Sequence, residues 1–146
     1  MADADPKTFD LSLVTPEGSV FEGEAQMLIV PGAAGEIGVL ARHAPLVAML
    51  RAGEIRVKAG GDWQSFAAGP GYCKVQRDRA IVLVDEAVRA EEIDVEQARR
   101  EAEEARALLE RAEAGDEEID RWKVEQRLRH AENKISVSGR GASPVH

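Results

Sequence analysis

The chain contains a single cysteine, Cys73, and that scarcity excludes both an internal disulfide and a thiolate metal cluster. It also makes a reducing cytoplasm the natural compartment. No stretch approaches 18 apolar residues, so no segment is expected to enter a membrane directly. The opening residues Met1-Ala2-Asp3-Ala4-Asp5-Pro6 lack the positive region and apolar run of a signal peptide. Attachment to a membrane complex through another protein is left open. Positive charge is also in short supply, with 19 Lys and Arg against 27 Asp and Glu, a net charge of -8. Phosphate backbones and anionic lipid repel such a chain, and no nucleic-acid partner is expected.

Catalytic signatures are missing as well. There is no P-loop, no dinucleotide fingerprint ahead of a βαβ unit, no HExxH and no serine nucleophile elbow. The glycine-rich stretch PGAAGEIG (residues 31–38) lacks the Lys-Ser/Thr that grips phosphate and reads as turn geometry. His43, His130 and His146 are scattered and do not make a metal site. Cys73, beside Tyr72 in a short strand, reads as a packed thiol. A non-catalytic protein without cofactor or metal is expected.

What is present divides the 146 residues in two. From residue 9 to about 85 apolar residues recur with a period near two, and glycine or proline interrupts every eight to twelve residues, the rhythm of an all-β sandwich. Phe9, Leu11 and Leu13 form one apolar set, and Ala25, Met27 and Ile29 a second that is expected to stop in a loop at Pro31-Gly32. Residues 54–58 and 63–67 flank Gly60-Gly61 as a hairpin. Residues 72–75 read as a short strand, and residues 80–84, apolar on both faces, as a central strand or one covered by the helical half.

After residue 86 alanine, glutamate and arginine take over, which favours helix. Asp94 is the expected N-cap of a first helix whose stripe is Val95, Ala98, Ala102, Ala105, Leu109 and Ala112. Its small residues bury little area, so the helix should dock weakly. Gly115 and Asp116 end it and cap a second helix over residues 117–135, giving an antiparallel two-helix hairpin. The second helix concentrates Arg121, Lys123, Arg127, Arg129 and Lys134 against Glu125 and Glu132. That excess suits an acidic partner segment, or else a solvated face supported by pairs such as Glu125–Arg129. The expected organisation is a β-sandwich over 1–89, a helical hairpin over 90–136 and a flexible tail over 137–146. A free-standing regulatory or ligand-binding module that self-associates through its helices fits these patterns too.

A further pattern narrows the field. Val14-Thr15-Pro16-Glu17-Gly18, Phe21-Glu22-Gly23-Glu24, PGAAGEIGVLARHAPL (31–46) and Asp85-Glu86-Ala87-Val88-Arg89 ahead of the alanine-rich hairpin resemble the epsilon subunit of bacterial F-type ATP synthase. The resemblance implies a rotor subunit in the central stalk of F1, peripheral on the cytoplasmic face of the bacterial inner membrane. Its partners would be the gamma subunit and the c-ring of a proton-translocating enzyme. Glu36 and His43 match loop positions that face the c-ring, and Arg42 adds a cation where the family commonly has Pro-Gly before the histidine. The hairpin is implied to block ATP hydrolysis, with Arg121, Lys123, Arg127, Arg129 and Lys134 against the beta subunits. Some members bind ATP through Ile-Asp-x-x-Arg-Ala and second-helix arginines. Ile93, Asp94 and Ala98 keep that pattern, whereas Gln97, His130 and Lys134 depart from it, so no bound nucleotide is expected.

Overall fold

The computed structural model describes residues 7–139. Ten strands come first: β1 (Phe9–Thr15), β2 (Gly18–Ala25), β3 (Met27–Gly32), β4 (Gly35–Leu40), β5 (Leu46–Leu50), β6 (Gly53–Ala59), β7 (Asp62–Ala68), β8 (Gly71–Gln76), β9 (Arg79–Val84) and β10 (Ala87–Arg89). A single 3-10 turn (Ala90–Glu92) leads into α1 (Val95–Glu113) and α2 (Arg121–Ser138). The strand order β10-β7-β6-β3-β5-β8-β9-β1-β2, with β4 attached to the other side of β3, is one continuous sheet doubled over a shared core. The two layers join where β3 meets β5, through the single register pair Gly32 and Leu50. Arg51 N donates to Pro31 O at 2.9 Å beside it. The expected architecture, an all-β sandwich followed by an antiparallel two-helix hairpin, is what forms.

Alternation accounts for the core. Phe9, Leu11 and Leu13 all point inward, as do Ile55 and Val57 on β6 and Cys73 and Val75 on β8. The second apolar set departs from expectation: Ala25 is buried, but on β3 the inward residues are Leu28 and Val30, while Met27 and Ile29 are half-exposed. Gln26 is the reason. It interrupts the strand between β2 and β3, its N–H donating to Lys58 O at 2.7 Å and its Oε1 accepting from Gly61 N at 2.8 Å, and one residue spent there flips every following side chain.

Pro31-Gly32 does not end in a loop either. β3 runs through both residues, which pair with Glu36 and Gly35, and the chain reverses over Ala33 and Ala34 alone. A side chain at Gly32 would meet Gly35 O and the Ile37 side chain, so only glycine closes this turn. β9 is central as expected, antiparallel to β8 and parallel to β1, but no helix covers its outer side. The helical half sits elsewhere, with α2 against β7, β6 and the 3-10 turn, and α1 chiefly against α2.

Asp94 caps α1 as expected, its Oδ1 accepting from Gln97 N at 3.1 Å. Gly115, at φ 109, follows the helix end. The second helix starts at Arg121 rather than residue 117, because Asp120 is its cap and accepts from Lys123 N at 3.2 Å. Asp116 instead binds Arg111 at 2.8 Å and accepts from Glu118 N, which holds the interhelical turn. α2 continues past residue 135 to Ser138, and Val137 is buried against Ala67 and Ala90. Of the expected tail, residues 140–146 lie outside the described residues.

Candidate functional site

Three surfaces carry the residues singled out above. The first is the outer face of β5, β8, β9 and β1. Strand register brings Met49, Tyr72, Leu83 and Val14 into one row, and Val47, Lys74, Ile81 and Ser12 into the next. Val47 is 69%, Met49 66% and Tyr72 41% exposed, although β-propensity and hydrophobicity would favour covering them. Local sequence patterns could not find this strip, since it requires knowing that these four strands are neighbours.

The second surface is the free edge of β4, which pairs only with β3. Glu36 stands near its start and faces Arg56 at 3.6 Å. Arg42 and His43 lie just beyond its far end. A six-residue strand rises about 20 Å, so the structure places Glu36 and His43 along one edge without bringing them together. Arg42 holds a left-handed φ of 63, and its N–H donates to Asp78 Oδ1 at 2.9 Å, which ties this turn to the β8–β9 turn. His43 donates from Nδ1 to Ala44 O at 2.7 Å, leaving Nε2 free to face a partner.

The third is the seam between sandwich and hairpin. His130 donates from Nδ1 to Glu86 Oε1 at 3.2 Å, Lys134 Nζ lies 3.6 Å from the same oxygen, and Asn133 Nδ2 donates to Gly53 O at 3.0 Å. Gly69 permits the approach: a side chain there would collide with the Asp85 carboxylate and crowd the His130 ring. The hydrogen bond from His130 holds Glu86 below the usual carboxylate range, against the opposing effect of burial and with help from Lys134. The same bond raises His130, again against burial, with Glu86 and Asp85 adding to it and Lys134 opposing.

Glu86 therefore contributes stability above its unfolded pKa, and loses it as pH falls through its lowered folded value. His130 contributes fully below its unfolded pKa and loses that contribution as pH rises through its raised folded value. The seam is tightest between the two ordinary ranges, at about pH 5 to 6. Both side chains are partly exposed, so the pair is worth at most about 1 kcal/mol. Resonance energy transfer between labels on β2 and α2 is expected to show the hairpin loosening a few-fold from pH 6 to 8.5, and His130→Gln is expected to abolish that slope. An unchanged slope in the variant would rule the pair out as its source.

Beside the seam a cleft of about 490 Å³ opens between α1 and α2. Lys123, Arg127, His130 and Lys134 line it at helical spacing with Glu86, Glu101 and Glu104, and Trp122, 68% exposed, stands at its edge. The five cations of α2 are thus split, since Arg121 and Arg129 are not among the cleft residues. The expected Glu125–Arg129 pair is not formed. The helices are bridged instead by Arg106 and Glu132 at 3.0 Å.

Among the described residues no group of acids, cysteine and histidine could hold a metal, and no helix is long and apolar enough to cross a membrane. Cys73 is fully buried, which pushes its thiol up to about 11 and leaves little reactive thiolate.

The family described as ATP synthase, Delta/Epsilon chain, beta-sandwich domain matches residues 8–90. The ATP synthase epsilon chain of Halalkalibacterium halodurans is 39% identical over 133 residues, covering 91% of this chain and 98% of its own length. That of Desulforamulus reducens is 40% identical over 132 residues, covering 90% and 98%. The chain belongs to the ATP synthase epsilon-chain family. Among solved structures, a chain in the Euglena gracilis mitochondrial ATP synthase OSCP/F1/c-ring assembly superposes with a TM-score of 0.77 at 27% identity, over 93% of this chain and 85% of that one. As an epsilon chain the protein is a non-catalytic subunit of the central stalk, and this sets aside a free-standing self-associating module.

Two departures from the family's sequence pattern acquire physical reasons. Arg42 occupies a left-handed position that the family's usual glycine would adopt without strain, and the Asp78 bond offsets that cost here. In the nucleotide motif, Asp94 is engaged as a helix cap and Ile93 packs against Ala67, Ala90 and Val137. Gln97 is exposed, His130 and Lys134 are already committed to Glu86, and the cleft carries three carboxylates. Lys123 and Arg127 stand in the same cleft beside those acids.

Proposed function

We propose that this epsilon chain docks on the gamma subunit through the outer row Met49, Tyr72, Leu83 and Val14, and rests the β4 edge on the c-ring. The observation that carries the reading is that apolar row, in which Met49 and Tyr72 are exposed and Leu83 and Val14 half-buried, with exposed Val47 in the next row. Covering it removes large apolar side chains from water, which is the main driving force in most protein association. Along β4, Glu36, Arg42 and His43 offer an acid, a cation and a free imidazole nitrogen to the polar loops of the ring. Torque from the ring would thus reach gamma through a stiff sheet, with the subunit peripheral on the cytoplasmic face of the membrane.

The helical hairpin is the regulatory part in this reading. Held to the sandwich by a polar seam and a short apolar contact, it releases at modest cost. Extended along gamma, it would bring Arg121, Lys123, Arg127, Arg129 and Lys134 to an acidic segment of the beta subunits and halt hydrolysis.

ATP hydrolysis by an epsilon-depleted F1 core, titrated with this chain, tests the proposal. The full chain is expected to suppress turnover, whereas a chain ending at Arg89 and a full chain carrying Lys123→Glu and Arg127→Glu are expected to bind without suppressing it. The sandwich core lies within residues 9–87, so the shortened chain keeps all of it. Binding of all three with turnover unchanged throughout would remove the brake and leave coupling alone.

A further inference from the structure

Lys74 sits in the middle of the outer strip. Its register partners are Val47 on β5 and Ile81 on β9, and the next row along β8 is the apolar one that contains Tyr72. Toward the β8–β9 turn it meets more positive charge. Lys74, Gln76, Arg77, Arg79 and Ile81 line a shallow cleft of about 280 Å³ with no carboxylate in its wall. Arg77 is held at that rim by a left-handed φ of 58. Asp10 pairs in register with Arg79, but the residue beyond Ile81 opposite Lys74 is Ser12. Among the described residues no acid lies within ion-pair distance of Lys74.

A partner that covers Val47 and Ile81 encloses Lys74 from both sides. Lysine commonly escapes burial by running its stem along apolar surface and keeping its ammonium in water. Here the two directions along the strand lead to an apolar row and to a turn where Arg77 and Arg79 stand with Asp78 and Asp10, neither acid within ion-pair distance of Lys74. An enclosed, unpaired ammonium carries a desolvation cost that would cancel much of the gain from covering the strip. We propose that the surface which docks on this strip is apolar and carries one carboxylate placed opposite Lys74. The inference rests on the docking reading above and specifies the chemistry of the gamma face that this chain accepts. It also gives the contact a direction, because the acid must lie toward the β8–β9 turn end of the strip.

The test is the affinity of the full chain for an epsilon-depleted F1 core, measured by biolayer interferometry at low and high salt. Lys74→Met keeps the stem and most of the area but removes the charge, so the partner's carboxylate is left buried alone. About 30-fold weaker binding is expected, with a flatter salt dependence than the parent chain. Met49→Asp is the second arm and is expected to weaken binding more than a hundredfold. Both side chains point out from the sheet, and thermal melts matching the parent chain confirm that each variant is folded. If Met49→Asp binds as the parent does, the docking reading fails and the carboxylate with it. If Met49→Asp loses binding while Lys74→Met binds equally or more tightly, the strip is the interface and the opposing carboxylate is overturned.

Discussion

Replacing Ala102 with leucine is expected to unseat α1 while the sandwich stays folded, seen as a ten- to hundredfold loss of amide protection across residues 95–113. Ala98, Ala102 and Ala105 are the buried residues of α1. At roughly 0.8 kcal/mol per buried methyl-sized group they contribute about 2–3 kcal/mol together. Forcing a leucine into that contact costs about 1–3 kcal/mol, comparable with everything the alanines supply. The Arg106–Glu132 bridge is exposed and adds at most about 1 kcal/mol. α1 also has little else to hold it, since its main neighbour is α2 and a helix of this length is marginal alone in water. Hydrogen exchange followed by mass spectrometry separates the outcomes. Protection unchanged in α1, or lost from β1 and β9 as well, would show that the interface is not the weak link.

Phe66→Ala is expected to produce the largest fall in stability, about 3–5 kcal/mol, a large part of the roughly 5–15 kcal/mol that a domain possesses. Phe66 has no exposed surface and is the largest fully buried side chain of the core. Its loss leaves a cavity between the layers and also removes a support of β10. The Arg89 guanidinium lies 5.5 Å from the ring centroid, donates to Gln64 Oε1 at 2.7 Å and to Val20 O at 3.2 Å, and thereby ties β10 to β7 and β2. Urea unfolding followed by circular dichroism is expected to show the midpoint falling by about 2 M at an unchanged slope. A fall under about 0.5 M would mean that the neighbouring side chains collapse into the space.

The strands most legible in the sequence were those with one wet and one dry face. Residues 9–13 and 54–58 announce their geometry because burial on one side forces a period of two. β3 misled for the same reason: a one-residue interruption at Gln26 is invisible in a list of side chains, yet it exchanges the two faces. Helix caps were legible in kind but not in place. Asp116 and Asp120 are residues of the same capping type, and the structure engages the first with Arg111 and Glu118 N and leaves the second to cap α2.

For the functional surfaces the balance is different. Residues 31–46 carry the family pattern openly, and Glu36, Arg42 and His43 could be picked out on that basis. Their placement along a single free edge came from strand order. Of the outer strip only β9 shows in the sequence, as a run apolar on both faces; Val14, Met49 and Tyr72 look like ordinary strand residues until four separate segments are set side by side. The Glu86–His130 contact likewise joins residues 44 apart in the chain.

The polar character of the hairpin's attachment also governs what happens after release. When Asn133 lets go of Gly53 O and His130 leaves Glu86, water takes over each partner, and the alanines that part from α2 expose little oil. A detached hairpin of this kind offers few sticky handles to other chains or to proteases that seek greasy segments. Opening and closing could then be repeated without clumping, as the brake proposed above would require.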